Sequence, residues 1–173
     1  PYFVLAHITC PHPPFFWDED GNAIDSERGW YDGAEGFMAR GGTRDEFITG
    51  FRNQTRTLNG LLLKTMDGIL ASQDDHTPVI IIQGDHGPDA FYSYEHFEGI
   101  NVRERFGILN AYYLPGVDSS GLYPSISPVN SFRVVLNNYF GLDLPLLEDR
   151  AFYSPGFRPF DAVEVTDSLV GSP

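Results

Sequence analysis

The sequence predicts an α/β fold, a mostly parallel central sheet flanked by helices. Two apolar runs, at residues 2–8 and 78–83, lack an alternating polar face, as strands covered on both sides do. Between them, apolar residues recur at helical spacing over a long segment after Thr43. The overall order is strand, excursion, long helix, strand, loop, strand, helix, strand, which is the alternation of an α/β chain.

The first run, Tyr-Phe-Val-Leu-Ala-His-Ile, reads as a buried strand that opens with no lead-in. The expectation is therefore a single domain over residues 1–173 that is the carboxy-terminal part of a longer polypeptide, incomplete at its amino end. His7 and Cys10 read as a core histidine and a small buried thiol. Thr9-Cys10-Pro11-His12-Pro13-Pro14-Phe15 ends the strand, because its prolines fix φ and remove ladder donors. His12 is thereby held on a stiffened loop.

Residues 18–42 are rich in Gly, Asp and Glu and lack a steady period, so they read as a surface excursion. Asp18-Glu19-Asp20-Gly21-Asn22 resembles a calcium loop, but its glycine comes fourth where the EF-hand needs it sixth, and a solvated acidic turn fits better. Trp30 and Tyr31 read as caps on the core rather than as cleft lining.

Thr43-Arg44-Asp45-Glu46 matches a capping box, and Phe47, Phe51, Leu58, Leu62, Met66 and Ile69 continue a helical stripe to about Ser72. Arg52, Arg56 and Lys64 form its wet face, and close packing accounts for Gly50, Gly60 and Gly68. Asp67 reads as structural.

Residues 78–88, Pro-Val-Ile-Ile-Ile-Gln-Gly-Asp-His-Gly-Pro, organise the remainder. A buried strand stops at an Asp-His pair between glycines, and ligands in open α/β sheets sit outside the carboxyl ends of such strands. Asp85 and His86 are candidate ligands of one divalent metal, and the oxygen and imidazole donors suit manganese or zinc more than calcium. The plainer reading of the four residues Gly-Asp-His-Gly is an ordinary hydrogen-bonded turn.

Residues 90–99, rich in aromatics, read as a loop over that site, and 105–114 as a third core strand closed by Pro115-Gly116. Ser127-Pro128 starts an amphipathic helix that Gly141 stops. The alternation in 160–166 suits a strand with one wet face.

The totals exclude some functions. No stretch approaches the 20 or so apolar residues of a membrane span, so the chain is expected to be soluble. A net charge of -13 with only 11 basic residues argues against duplex nucleic acid as a partner. An anionic substrate would need local positive charge against that field. A single cysteine excludes an internal disulfide and a cysteine-based zinc cluster.

Pro-His-Pro-Pro-Phe after a first strand, a long helix carrying Asp67, Thr-Pro-Val-Ile-Ile-Ile-Gln-Gly-Asp-His-Gly, a segment ending Leu-Pro-Gly and a Ser-Pro-led helix together resemble the later part of a sulfatase-type domain. That domain belongs to the alkaline phosphatase superfamily. Within it, the likeness is to lipoteichoic acid synthases and phosphoethanolamine transferases, membrane-anchored enzymes that move phospho-groups from lipids. It covers residues 2–141, and Asp-His-Gly is its most specific part.

The resemblance implies a metal-dependent phospho- or sulfo-ester hydrolase or transferase with an alkaline phosphatase-like fold. Asp85 and His86 would bind the catalytic metal, and His12 would contact the transferred group or stabilise its leaving group. His96 is a further candidate for a substrate or metal contact, although its spacing departs from the family's. The substrate would be an anionic phospho- or sulfo-ester, a lipid headgroup or glycan included, and the parent protein would face the extracytoplasmic side of the cell membrane. The family's nucleophile and earlier acidic ligands precede the matched region, so residues 1–173 alone are expected to be inactive. The alternative reading is a catalytically inactive sulfatase-like module that binds a ligand without turnover, and a third is a purely structural domain.

Overall fold

A computed structural model describes residues 2–26, 29, 33–72, 77–118 and 121–170, and the chain divides into two compact units, Pro1–Ser72 and Gln73–Pro173. Trp30 and Tyr31 lie outside the described residues.

The first unit is built on two helices, α1 (Gly33–Ala39) and α2 (Arg44–Ala71). The capping box forms: Glu46 N donates to the Thr43 hydroxyl at 3.2 Å, and Thr43 N donates to the Glu46 carboxylate at 2.8 Å. Phe15, Phe37 and Phe47 are buried and meet edge-on, with ring centroids 5.3–6.0 Å apart. Close packing explains Gly50, where a Cβ would run into the Phe15 ring. It does not explain Gly60 or Gly68, which have nothing within 4 Å. Arg52, Arg56 and Lys64 are exposed as expected, and Arg56 donates to the Glu19 carbonyl at 3.3 Å.

A single polar side chain fastens the proline-rich loop to α2. Gln54 is wholly buried: its Oε1 accepts from Phe16 N at 2.8 Å, and its Nε2 donates to the carbonyls of Pro11 and His12, each at 3.2 Å. The loop's prolines cannot donate, and Gln54 supplies the missing donor. The acidic turn is satisfied locally, with the Asp18 carboxylate accepting from Asp20 N and Asn22 N at 3.0 and 2.8 Å.

In the second unit, β1 (Ile80–Gln83) pairs antiparallel with β2 (Asn110–Tyr113), from Ile80 opposite Tyr113 to Gln83 opposite Asn110. Between them runs a short helix, α3 (Val102–Phe106). Beyond β2 lies α4 (Pro128–Phe140), with Pro128 in its first turn and Gly141 left-handed at its end, as the sequence indicates. A second antiparallel pair joins β3 (Phe152–Tyr153) to β4 (Val163–Glu164), and α5 (Thr166–Val170) follows.

Polar side chains hold α4 in place. The buried Ser131 hydroxyl lies 2.6 Å from the Tyr112 hydroxyl on β2. Asn130, also buried, exchanges two hydrogen bonds with the Leu147 backbone at 2.8 and 2.9 Å. The Asp149 carboxylate accepts from Ser127 N at 2.8 Å, from the Ser127 and Tyr123 hydroxyls, and from Asn130 Nδ2 at 3.2 Å. It thus supplies the acceptor that the amino end of α4 needs, which the Ser127 side chain does not provide.

The expected parallel central sheet is absent among the described residues, which form only two short antiparallel pairs. After the return through α3, Gly84 N donates to Leu109 O at 2.8 Å, so β2 starts where β1 ends, and the chain comes back antiparallel without a crossover. Residues 2–8 form no strand, Tyr2, Phe3, Val4 and Leu5 are each at least 79% exposed, and His7, expected in the core, is exposed. Apolar composition favours a strand but supplies no partner for its ladder. The expected third strand at 105–114 is shared instead: Arg105 and Phe106 close α3, and only 110–113 pair. In 160–166, only Val163 and Glu164 pair. The excursion over 18–42 contains α1, which hides its Ala34 and Phe37 between glycines. Among the described residues no helix is long and apolar enough to cross a membrane.

Two predictions follow from the polar anchors. Gln54→Met strands one donor and two acceptors in the first unit and costs about 1–3 kcal/mol, read as a lower thermal or urea midpoint of the full chain. Burial raises the Asp149 carboxyl, but donation from Ser127, Tyr123 and Asn130 outweighs it and holds it below the usual carboxylate range. A depressed folded-state value stabilises above the unfolded value of about 4, and that stability is lost as pH falls from there through the lower folded value. Asp149→Asn therefore lowers the melting temperature near neutrality and flattens its fall below about pH 4, measured by melting across pH.

Candidate functional site

Asp85 and His86 stand on the turn that leaves β1. The antiparallel topology removes the expectation that they lie at the carboxyl edge of a parallel sheet. What positions them is α3. Gly87 N donates to Arg105 O at 2.7 Å, and Gly87 is packed so closely that a Cβ there would collide with the Glu104 carbonyl oxygen and stand 2.8 Å from that of Gly107. The glycine after the Asp-His pair is needed for this approach of two backbones.

The pair itself is accessible, with side-chain exposures of 86% for Asp85 and 44% for His86. Asp85 Oδ1 accepts from His86 N at 3.0 Å, and Oδ2 lies 3.6 Å from His86 Nε2. The ring's other nitrogen, Nδ1, lies 2.8 Å from Gly87 O and 2.8 Å from Arg105 Nη1. A guanidinium only donates, so Nδ1 either accepts from Arg105 or donates to Gly87 O. The second arrangement leaves Nε2 with a lone pair on the side of Asp85, the form in which a histidine ligates.

Arg105 was not legible as a site residue, because 105–114 reads as a strand. It comes from the last turn of α3, and the signal for that helix is Asn101, whose side chain accepts from Glu104 N at 3.2 Å in an Asn-x-x-Glu pattern. The Arg105 guanidinium lies 4.5 Å from the centroid of the Tyr92 ring and also donates to Gly87 O at 3.4 Å. Beside it, Glu104 accepts from Ala90 N at 3.0 Å, and burial raises its carboxyl despite backbone donation from Ala90 and Phe91.

The other candidates are placed as follows. His12 is half-buried in the first unit, its Nδ1 2.6 Å from Pro13 O. His96 is exposed, and its Nδ1 lies 2.6 Å from the hydroxyl of buried Ser93, whose carbonyl accepts from the Tyr153 hydroxyl at 2.7 Å. Residues 90–99 pack Tyr92 and Phe97 edge-on against Tyr153, with centroids 5.7 and 5.5 Å away. Cys10 is half-buried, which raises its thiol.

Among the described residues no group of three or more His, Cys, Asp or Glu side chains gathers at metal-binding distance. An accessible carboxylate beside an imidazole fits two positions of a manganese or zinc shell, and not the oxygen-rich shell of calcium. Comparisons with protein-family models, with curated proteins and with solved structures give no match.

Gly87→Ala is expected to force α3 away from the turn and cost about 1–3 kcal/mol. The check is a lower melting temperature of the full chain, together with faster amide exchange at residues 85–87 and 104–107 than at α2.

Proposed function

We propose that this chain supplies part of the centre of a metal-dependent phospho- or sulfo-ester hydrolase or transferase, with Asp85 and His86 as two of the metal's ligands. The observation that carries the reading is the pair itself: two exposed donors, 3.6 Å apart, on a turn whose backbone is fixed by α3. The likeness of Gly-Asp-His-Gly and Pro-His-Pro-Pro-Phe to the sulfatase-type pattern supports the same reading.

A bound metal supplies a Lewis acid that activates a hydroxyl and offsets charge on the transferred group. The chain's own contributions are ligand placement and charge. Asp85 presents a carboxylate, and His86 presents Nε2 when Nδ1–H is given to Gly87 O. The resemblance, rather than any contact within the fold, is the ground for giving His12 the oxygens being transferred or the leaving group, and for giving His96 a further contact of substrate or metal. The substrate class is an anionic phospho- or sulfo-ester, a lipid headgroup or glycan among them, met on the extracytoplasmic face of a membrane.

The test uses the longest native polypeptide that carries these residues, assayed for bound manganese or zinc and for hydrolysis of a chromogenic phosphodiester. Asp85→Ala and His86→Ala are expected each to weaken metal binding at least tenfold and to abolish hydrolysis. Metal content and turnover that both survive the two substitutions overturn the reading. Metal binding without turnover in the native protein favours the inactive, ligand-binding alternative.

A further inference from the structure

We infer that Arg105 is an anion-contacting residue of the Asp85–His86 site, aimed at the phosphoryl or sulfonyl oxygens of the ester. The inference rests on the metal-site reading above and adds to it a cation beside the ligand pair, in a chain of net charge -13.

Three observations converge. Arg105 Nη1 reaches His86 Nδ1 at 2.8 Å, so its charge is delivered to the ligand pair itself. Among the described residues no carboxylate forms an ion pair with Arg105, whereas Arg150 and Arg158 are taken up by Glu164 and Asp161. The adjacent Glu104, whose carboxyl feels the Arg105 charge, accepts from Ala90 N and forms no ion pair with Arg105.

The guanidinium plane is also held in advance. It lies over the Tyr92 ring at 4.5 Å, and Tyr92 in turn meets Tyr94 and Tyr153 edge-on, at 4.9 and 5.7 Å. Nη1 is directed to His86 and Gly87 O, and Nε and Nη2 donate to no described residue. These donors form a fork of the shape that tetrahedral oxyanions accept in bidentate fashion. When His86 Nδ1–H donates to Gly87 O, Nη1 has no acceptor on the ring, and the guanidinium is held by the Tyr92 ring and the Gly87 carbonyl.

The test is calorimetric titration of inorganic phosphate into the longest native polypeptide that carries these residues, with manganese present, after titration of manganese alone. Arg105→Gln is expected to weaken phosphate binding by about tenfold or more while manganese affinity stays within about twofold. Arg105→Lys restores part of the loss, since charge returns without the fork, and also serves if the glutamine variant folds poorly. Arg158→Gln, remote from the site in its pairing, leaves both affinities unchanged. Manganese binding with phosphate affinity unaffected by Arg105→Gln, equally reduced by Arg158→Gln, or absent in the native chain overturns the Arg105 inference and leaves the metal reading standing. Failure of that longest native polypeptide to bind manganese or zinc at all overturns the metal reading and this inference with it.

Discussion

The close approach of the Gly87 backbone to the end of α3 is the constraint on which the second unit depends. A hydrogen bond of 2.7 Å from Gly87 N to Arg105 O is possible only because position 87 has no side chain to meet the carbonyls of Glu104, Arg105 and Gly107. The contact joins the turn after β1 to the end of α3, where Arg105 lies against His86.

The same approach fixes the backbone of the turn on which Asp85 and His86 stand. Asp85 and His86 are exposed side chains on a backbone fixed from behind, which is the condition for holding a ligand geometry without a buried charge. His86 Nδ1 has two alternative neighbours, one acceptor and one donor, so the state of the ring is coupled to the state of Arg105. In the first unit, Gln54 plays a comparable role for the loop of His12, where prolines leave backbone acceptors to be met from the side.

Where a signal lies in neighbouring residues, the sequence was informative. Thr43 with Glu46, and Pro128 with Gly141, mark α2 and α4 because caps and prolines act within one turn. The adjacency of Asp85 and His86 is likewise local. Strand direction is not local: the apolar run before Gly84 has the same composition in either topology, and only the return through α3 makes the pair antiparallel. Residues 2–8 have strand composition and no ladder. Short helices were missed for a related reason, since α1 and α3 contain too few residues to display a period. Arg105 could not be read as a site residue, being 19 positions from His86 and joined to it only by folding.

Ligation of a divalent metal by Asp85 and His86 is tested by nitrogen NMR of the histidines during zinc titration of the longest native polypeptide that carries them. The His86 Nε2 resonance is expected to move to the metal-bound range while Nδ1 stays protonated against Gly87 O, and Asp85→Asn is expected to weaken this response. A His86 ring that is unchanged at saturating zinc would contradict it.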